Sequence, residues 1–206
     1  MNRRAYFQHM RQLADQLRTK YGFRSPRVGK ADLRIIYRDE GIRIDLWPYF
    51  KSIRGAYLCD EQGPTVVINK KLPEDPCVFT MAHELKHHFV DRQLKLAACD
   101  VGNQNEEIEI GAEVFASELI LPEGLFTSEL QRRGVVAGKC SAEHLVEFKR
   151  STRTTLSYAG LEKYAMRLGF GPSTGYAGVQ WKKLELELYG EPPYKKFIRA
   201  RNRKRA

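Results

Sequence analysis

The chain is poor in cysteine, and its cysteines are not paired in sequence. Four occur in 206 residues, at Cys59, Cys77, Cys99 and Cys140, and no two of them form a C-x-x-C pair. Disulfide scaffolds and four-thiolate zinc sites need closely and regularly spaced cysteines, so both are excluded. We therefore expect reduced thiols and a cytoplasmic protein.

Long hydrophobic runs are missing as well. A membrane helix needs about 20 consecutive apolar residues, and no run approaches that length; Arg, Gln and Asp interrupt even the opening MNRRAYFQHMRQLADQL. The sequence thus predicts neither a transmembrane span nor a signal peptide. With 42% hydrophobic and 29% charged residues, its composition is typical of a globular chain of one large or two small domains.

Negative charge is scarce at both ends of the chain. The formal net charge is +10, of which residues 1–30 carry +7 and residues 182–206 carry +6, so the middle is mildly acidic at −3. Basic ends alone do not indicate a nucleic-acid-binding domain. We expect the tail from Lys195 to Arg205, with seven cations and no acid, to make at most weak, non-specific contact with nucleic acid.

The hydrophobic pattern predicts an α+β fold. Apolar residues at helical spacing predict a first helix over 5–20, and β-branched or aromatic runs at 42–47, 53–58 and 65–69 predict a small three-stranded antiparallel sheet. Further helices are predicted at 76–91, with Asp75 as N-cap, and at 103–121, 122–133, 141–150 and 154–168.

The predicted helix 76–91 carries an H-E-x-x-H motif, His83-Glu84-Leu85-Lys86-His87. Residues four apart share a helix face, so both imidazoles can reach one ion at about 2.0–2.1 Å. Glu84, rotated by one residue, flanks the open coordination position where a water would bind. The motif predicts a catalytic site with one Zn²⁺ per chain, its ligands including His83 and His87, and Glu84 as the general base.

A catalytic zinc usually has three protein ligands and one open position, so a further ligand is needed. The next predicted helix places Glu109 and Glu113 on one face, four residues apart. In the helix-borne Glu-zincin arrangement, one carboxylate binds the metal and an acid one turn later hydrogen-bonds a ligand histidine. We predict Glu109 as the ligand with Glu113 behind it; the reverse assignment satisfies the same spacing.

Three segments together resemble the ImmA/IrrE metallo-endopeptidases: TVVIN (65–69), FTMAHELKHHF (79–89) and EIGAEVFASELILP (109–122). The resemblance extends over roughly residues 35–170. It implies a cytosolic, gluzincin-like zinc peptidase, bacterial or phage-encoded, whose usual substrate is a helix-turn-helix repressor. In the family's pattern His83 and His87 match the zinc histidines, Glu84 matches the general base, and Glu109 matches the acid before the A-N-x-F-A stretch.

Two positions depart from that pattern. Lys86 follows H-E-L at the position where the family usually has Gly. Glu113 precedes x-F-A at the position where the family usually has Asn or Asp. We expect Lys86 to face solvent and to leave metal binding intact. Glu113 can accept a hydrogen bond from an imidazole N–H as Asp would, although its longer stem changes the geometry.

The segment 141–168 resembles the helix-turn-helix-like part that follows the peptidase core in this family. A helical lid beside the active-site cleft fits the same residues, and we favour it because Arg153 and Lys163 alone do not make a DNA-reading helix. By their chemistry, Arg153, Tyr158 and His144 are candidates for contact with the substrate.

The motifs suggest three parts: a zinc peptidase core at 1–122, a helical, helix-turn-helix-like part at 123–170, and a C-terminal extension with a basic tail at 171–206. The alternative function is a non-proteolytic DNA- or partner-binding regulator in which the zinc is structural. A structural site is normally closed by a fourth Cys or His, so three ligands and an intact Glu84 favour the peptidase.

Overall fold

The computed structural model describes residues 2–94, 96–99 and 106–191. Its helices are α1 Arg3–Lys20, α2 Lys30–Asp39, α3 Glu74–Val90, α4 Glu106–Ile120, α5 Glu123–Arg132, α6 Ala142–Thr152, α7 Tyr158–Arg167 and α8 Trp181–Tyr189. Its strands are β1 Arg43–Trp47, β2 Gly55–Asp60, β3 Gly63–Asn69 and β4 Leu96–Cys99, and a 3₁₀ turn covers Arg92–Leu94. The fold is α+β, as the sequence predicts.

The sheet is mixed and has four strands in the order β1-β3-β2-β4, so the prediction of a three-stranded antiparallel sheet is wrong. β2 pairs antiparallel with both β3 and β4, and β1 runs parallel to β3 with Ile44 opposite Val66. A parallel connection needs a dozen or more residues. The 15 residues between β1 and β3, which include β2 itself, supply that length.

Three elements of the structure were not predicted, because their signals in the sequence are weak. The basic segment after Pro26 contains α2, whose Leu33, Ile36 and Tyr37 are buried at helical spacing. β4 and α8 were likewise not predicted. α3 begins at Glu74 with Pro73 as N-cap, two residues before the predicted start, so the prediction of Asp75 as N-cap is wrong.

α3 is the central helix of the fold. It lies between the sheet on one side, formed by β2 and β3, and α4 on the other, and α4 in turn packs on α1. Because partners cover α3 from several sides, eleven of its residues are buried, and they include both motif histidines. The packing of α3 against α4 brings the two predicted site helices together.

The hydrophobic core extends from α1 into the C-terminal helices. Met10, Leu85, Phe115, Phe148 and Tyr176 belong to one cluster of buried side chains. The division of the chain at 122 and 170 stays a prediction.

α6 and α7 form the pair of helices expected in the C-terminal part, joined by residues 153–157. Arg153 ends α6 in the left-handed conformation, with φ 54°, and the Ser157 side chain caps α7. A helix-turn-helix function for this pair stays a prediction, and the basic tail beyond Glu191 lies outside the described residues. Within the described ranges, no helix has the length and apolar character that crossing a membrane requires.

Candidate metal centre

His83 and His87 of α3 meet Glu109 of α4 where the two helices pack together. Each of the three offers one ligand atom, and these atoms lie within 4.8 Å of one another. His83 Nε2 is 3.1 Å from Glu109 Oε2, and His87 Nε2 is 3.7 Å from Glu109 Oε1. Both imidazoles are buried and the carboxylate is partly exposed.

The donor set and its spacing fit a zinc ion. Tetrahedral coordination with bonds of about 2.0–2.2 Å places ligand atoms about 3.3–3.6 Å apart. The two distances from the Glu109 oxygens, 3.1 and 3.7 Å, bracket that separation. Two imidazoles and one carboxylate also form a ligand set used by catalytic zinc, which leaves a fourth position open.

Asp91, which the sequence analysis did not identify, lies behind His87. It is the C-cap of α3, and its Oδ2 is 2.8 Å from His87 Nδ1. Because the carboxylate accepts this hydrogen bond, Nδ1 carries the proton and Nε2 keeps its lone pair for a metal. The signal in the sequence was the spacing, since Asp91 follows His87 by four residues.

The environment of Asp91 favours its ionised form. Burial on its own would raise the pKa of the carboxyl, but hydrogen bonds from His87 and Lys86, together with the positive charge of Lys86, lower that pKa below its ordinary value. A carboxylate in this position fixes the orientation of the imidazole ring.

Lys86 is completely buried, so the prediction that it faces solvent is wrong. Its ammonium donates hydrogen bonds to Asp91 Oδ2 and, at 3.0 Å, to the Ile108 carbonyl. It also lies 5.7 Å from the centroid of the Tyr6 ring. The physical reason is that α4 and α1 cover this face of α3, and the three contacts offset the cost of burying a cation.

Glu113 lies away from the cluster. Its Oε2 is 3.1 Å from Lys163 Nζ of α7, and half of the side chain is exposed. Glu113 is one helical turn, about 6 Å, further along α4 than Glu109. In this geometry Glu109 is the acid close to Nε2 of both histidines. The acid that accepts a hydrogen bond from the other ring nitrogen of a histidine is Asp91, at His87, and not Glu113.

Glu84 lies on the side of α3 that faces the sheet, and its side chain is buried. A Cβ added to Gly55 of β2 would lie 2.8 Å from Glu84 Oε1 and 2.5 Å from Thr80 Cγ2. β2 can therefore approach α3 this closely only because residue 55 has no side chain. Gly55 was not predicted from the sequence, since a lone glycine at a strand start carries no specific signal.

The three residues predicted to contact substrate are held among the C-terminal helices. His144 Nδ1 accepts a hydrogen bond from the Ser141 backbone N–H at the start of α6. Tyr158 stacks on Trp181 with ring centroids 5.1 Å apart, and Arg153 is the exposed C-cap of α6. A role in substrate binding for these residues stays a prediction.

Comparison with known proteins identifies the family. The IrrE N-terminal-like domain, Peptidase_M78, matches residues 29–152, from the start of α2 to the end of α6. The match includes both helices of the candidate metal centre and covers more than half of the chain. A search of curated proteins finds no match. The chain therefore belongs to the Peptidase_M78 family, which is defined by the IrrE N-terminal-like domain.

Proposed function

We propose that this protein is a zinc-dependent endopeptidase in which His83, His87 and Glu109 bind the metal and Glu84 is the general base. Membership of the Peptidase_M78 family supports a metallopeptidase-type function. The observation that supports the more specific proposal is that two imidazoles and a carboxylate lie within 4.8 Å of one another, with the buried Glu84 directly after His83 in α3.

Each side chain has a separate role in the proposed reaction. A bound zinc ion supplies Lewis acidity, which polarises the scissile carbonyl and makes water a stronger acid. Glu84 accepts a proton as water adds to the carbonyl carbon, and it donates that proton to the amine nitrogen as the C–N bond breaks. Asp91 holds His87 in the tautomer that presents Nε2. Glu84 thus returns to its starting form after each turnover.

Gly55→Ala tests the position of Glu84. The added methyl group would overlap Thr80 and Glu84, so we expect a loss of about 1–3 kcal/mol in the free energy of unfolding. We also expect hydrolysis to fall at least tenfold, an order-of-magnitude estimate for a displaced base, while zinc content stays unchanged.

The measurements are urea unfolding, metal content and cleavage rate. Gly124→Ala is the matched control, because a Cβ at that position in α5 meets nothing within 4 Å. If Gly55→Ala behaves like Gly124→Ala in both stability and activity, the sheet does not hold Glu84 in place.

For the substrate, we propose a helix-turn-helix transcriptional repressor cleaved once in a segment that becomes extended. This proposal rests on the resemblance to the ImmA/IrrE enzymes. The sheet offers a place for such a segment, because β1 is an edge strand with exposed Leu46 and Trp47. An extended peptide can pair with a strand edge through main-chain hydrogen bonds.

The test is incubation with a repressor encoded beside the gene of this protein. We expect one cleavage, blocked by a chelator, restored by zinc and absent with Glu84→Gln. Unfolded casein is expected to be cut poorly, and Arg153→Ala to slow repressor cleavage with zinc content unchanged. Casein degraded at many sites beside an intact repressor would indicate a general protease and refute this choice of substrate.

A further inference from the structure

Lys86 joins three helices at the candidate metal centre. Within α3 its ammonium binds Asp91, whose Oδ2 also accepts the hydrogen bond from His87. In α4 it binds the carbonyl of Ile108, the residue directly before Glu109. One buried cation is therefore bonded to the carboxylate behind one proposed ligand and to the backbone beside another.

The packing of α1 keeps this cation away from water. Tyr6 of α1 covers the ammonium, and a Cβ added to Gly111 would lie 2.5 Å from the Tyr6 hydroxyl oxygen. The ring can lie this close to α4 only because residue 111 is glycine. At a site from which water is excluded, hydrogen bonds to a charged group are stronger than at the surface. The Lys86 contacts therefore constrain both α3 and α4.

We propose that Lys86 is a positioning residue for the metal centre: through Asp91 it sets the orientation of the His87 ring, and through Ile108 it sets the position of Glu109. This inference rests on the proposed zinc site. Because Asp91 Oδ2 is shared between the two donors, loss of the Lys86 contact leaves the carboxylate less constrained, and the imidazole bonded to it is then less constrained as well.

The experiment compares Lys86→Met with the wild-type chain. Methionine has a similar length and removes the charge and the hydrogen bonds. We expect zinc affinity, measured by competition with a chelator, to fall about 10–100-fold, as for other residues that orient metal ligands. The visible absorption spectrum of the Co²⁺-substituted protein is expected to change as well, because the ligand geometry around the ion changes.

A second lysine provides a matched control. Lys149 Nζ binds Asp75 Oδ2 and the carbonyls of Thr154 and Leu156, and it lies 5.6 Å from the centroid of the Tyr158 ring. Lys149→Met thus removes the same kinds of contact far along the chain from the histidines. We expect it to lower folding stability and to leave both zinc affinity and the Co²⁺ spectrum unchanged.

Asp91→Asn completes the test, since Lys86 and Asp91 should act as one unit. In the double variant, zinc affinity is expected to fall by about the same factor as in the single variant that binds zinc more weakly. Independent residues would instead give a fall equal to the product of the two single-variant factors. If Lys86→Met does not fold, Asp91→Asn alone is expected to show the weaker zinc binding.

Three results would overturn the inference: wild-type zinc affinity in folded Lys86→Met, wild-type affinity in Asp91→Asn, or equal weakening in Lys149→Met. A wild-type chain that binds no zinc would instead refute the proposed function, so the two failures are distinguishable.

Discussion

Glu84→Gln is expected to keep about one zinc per chain and to lose hydrolysis by about 10²–10⁴-fold, the usual contribution of a general base. Glutamine has the same shape as glutamate but takes up no proton. Zinc content is expected to persist because the proposed ligands lie on other residues of α3 and α4. Metal analysis after dialysis and the cleavage rate of the repressor measure the two effects on the same sample.

His83→Ala and His87→Ala are expected to behave in the opposite way and to lose the zinc itself. Each substitution removes one of three proposed ligands, and two ligands do not retain zinc through dialysis. His144→Ala is the control for histidine removal, because His144 lies at the N-terminus of α6 and contacts Ser141. Equal zinc loss in Glu84→Gln and in the two histidine variants would overturn the division of roles.

The second large effect is expected to separate the two glutamates of α4. Glu109→Ala should lose most of its zinc, because the carboxylate lies 3.1 and 3.7 Å from the two imidazole nitrogens. Glu113→Ala should keep it, because Glu113 pairs with Lys163 at the surface. Exposed ion pairs contribute about 0–1 kcal/mol, so stability should also change little.

Chelator competition on both variants decides this assignment. Glu113→Lys extends the comparison, since it reverses the charge opposite Lys163 and leaves Glu109 unchanged. Zinc loss in Glu113→Ala with zinc retained in Glu109→Ala would reverse the assignment of the ligand.

The sequence predicted what depends on short spacings. His83 and His87 share a face of α3 because they are four residues apart, and that periodicity holds in any helix. Strands β2 and β3 were also predicted, from the β-branched and aromatic runs at 53–58 and 65–69. Such features need no knowledge of the rest of the chain.

Features that depend on distant packing were not predicted. Lys86 has the chemistry of a surface residue, and it is buried only because α4 and α1 close over it. The parallel pairing of β1 with β3 depends on how the chain crosses the sheet, which local propensity does not encode. Gly55 matters because β2 packs against Thr80 and Glu84. These residues are at least 25 positions from Gly55 in the sequence.

The most direct test of the central claim is a crystal structure of Glu84→Gln with zinc, with anomalous data collected at the zinc edge. We expect one zinc per chain, within about 2.0–2.2 Å of His83 Nε2, His87 Nε2 and a Glu109 oxygen, and a fourth position without a protein ligand. A zinc ion bound elsewhere, or closed off by a fourth protein side chain, would contradict a catalytic site at this place.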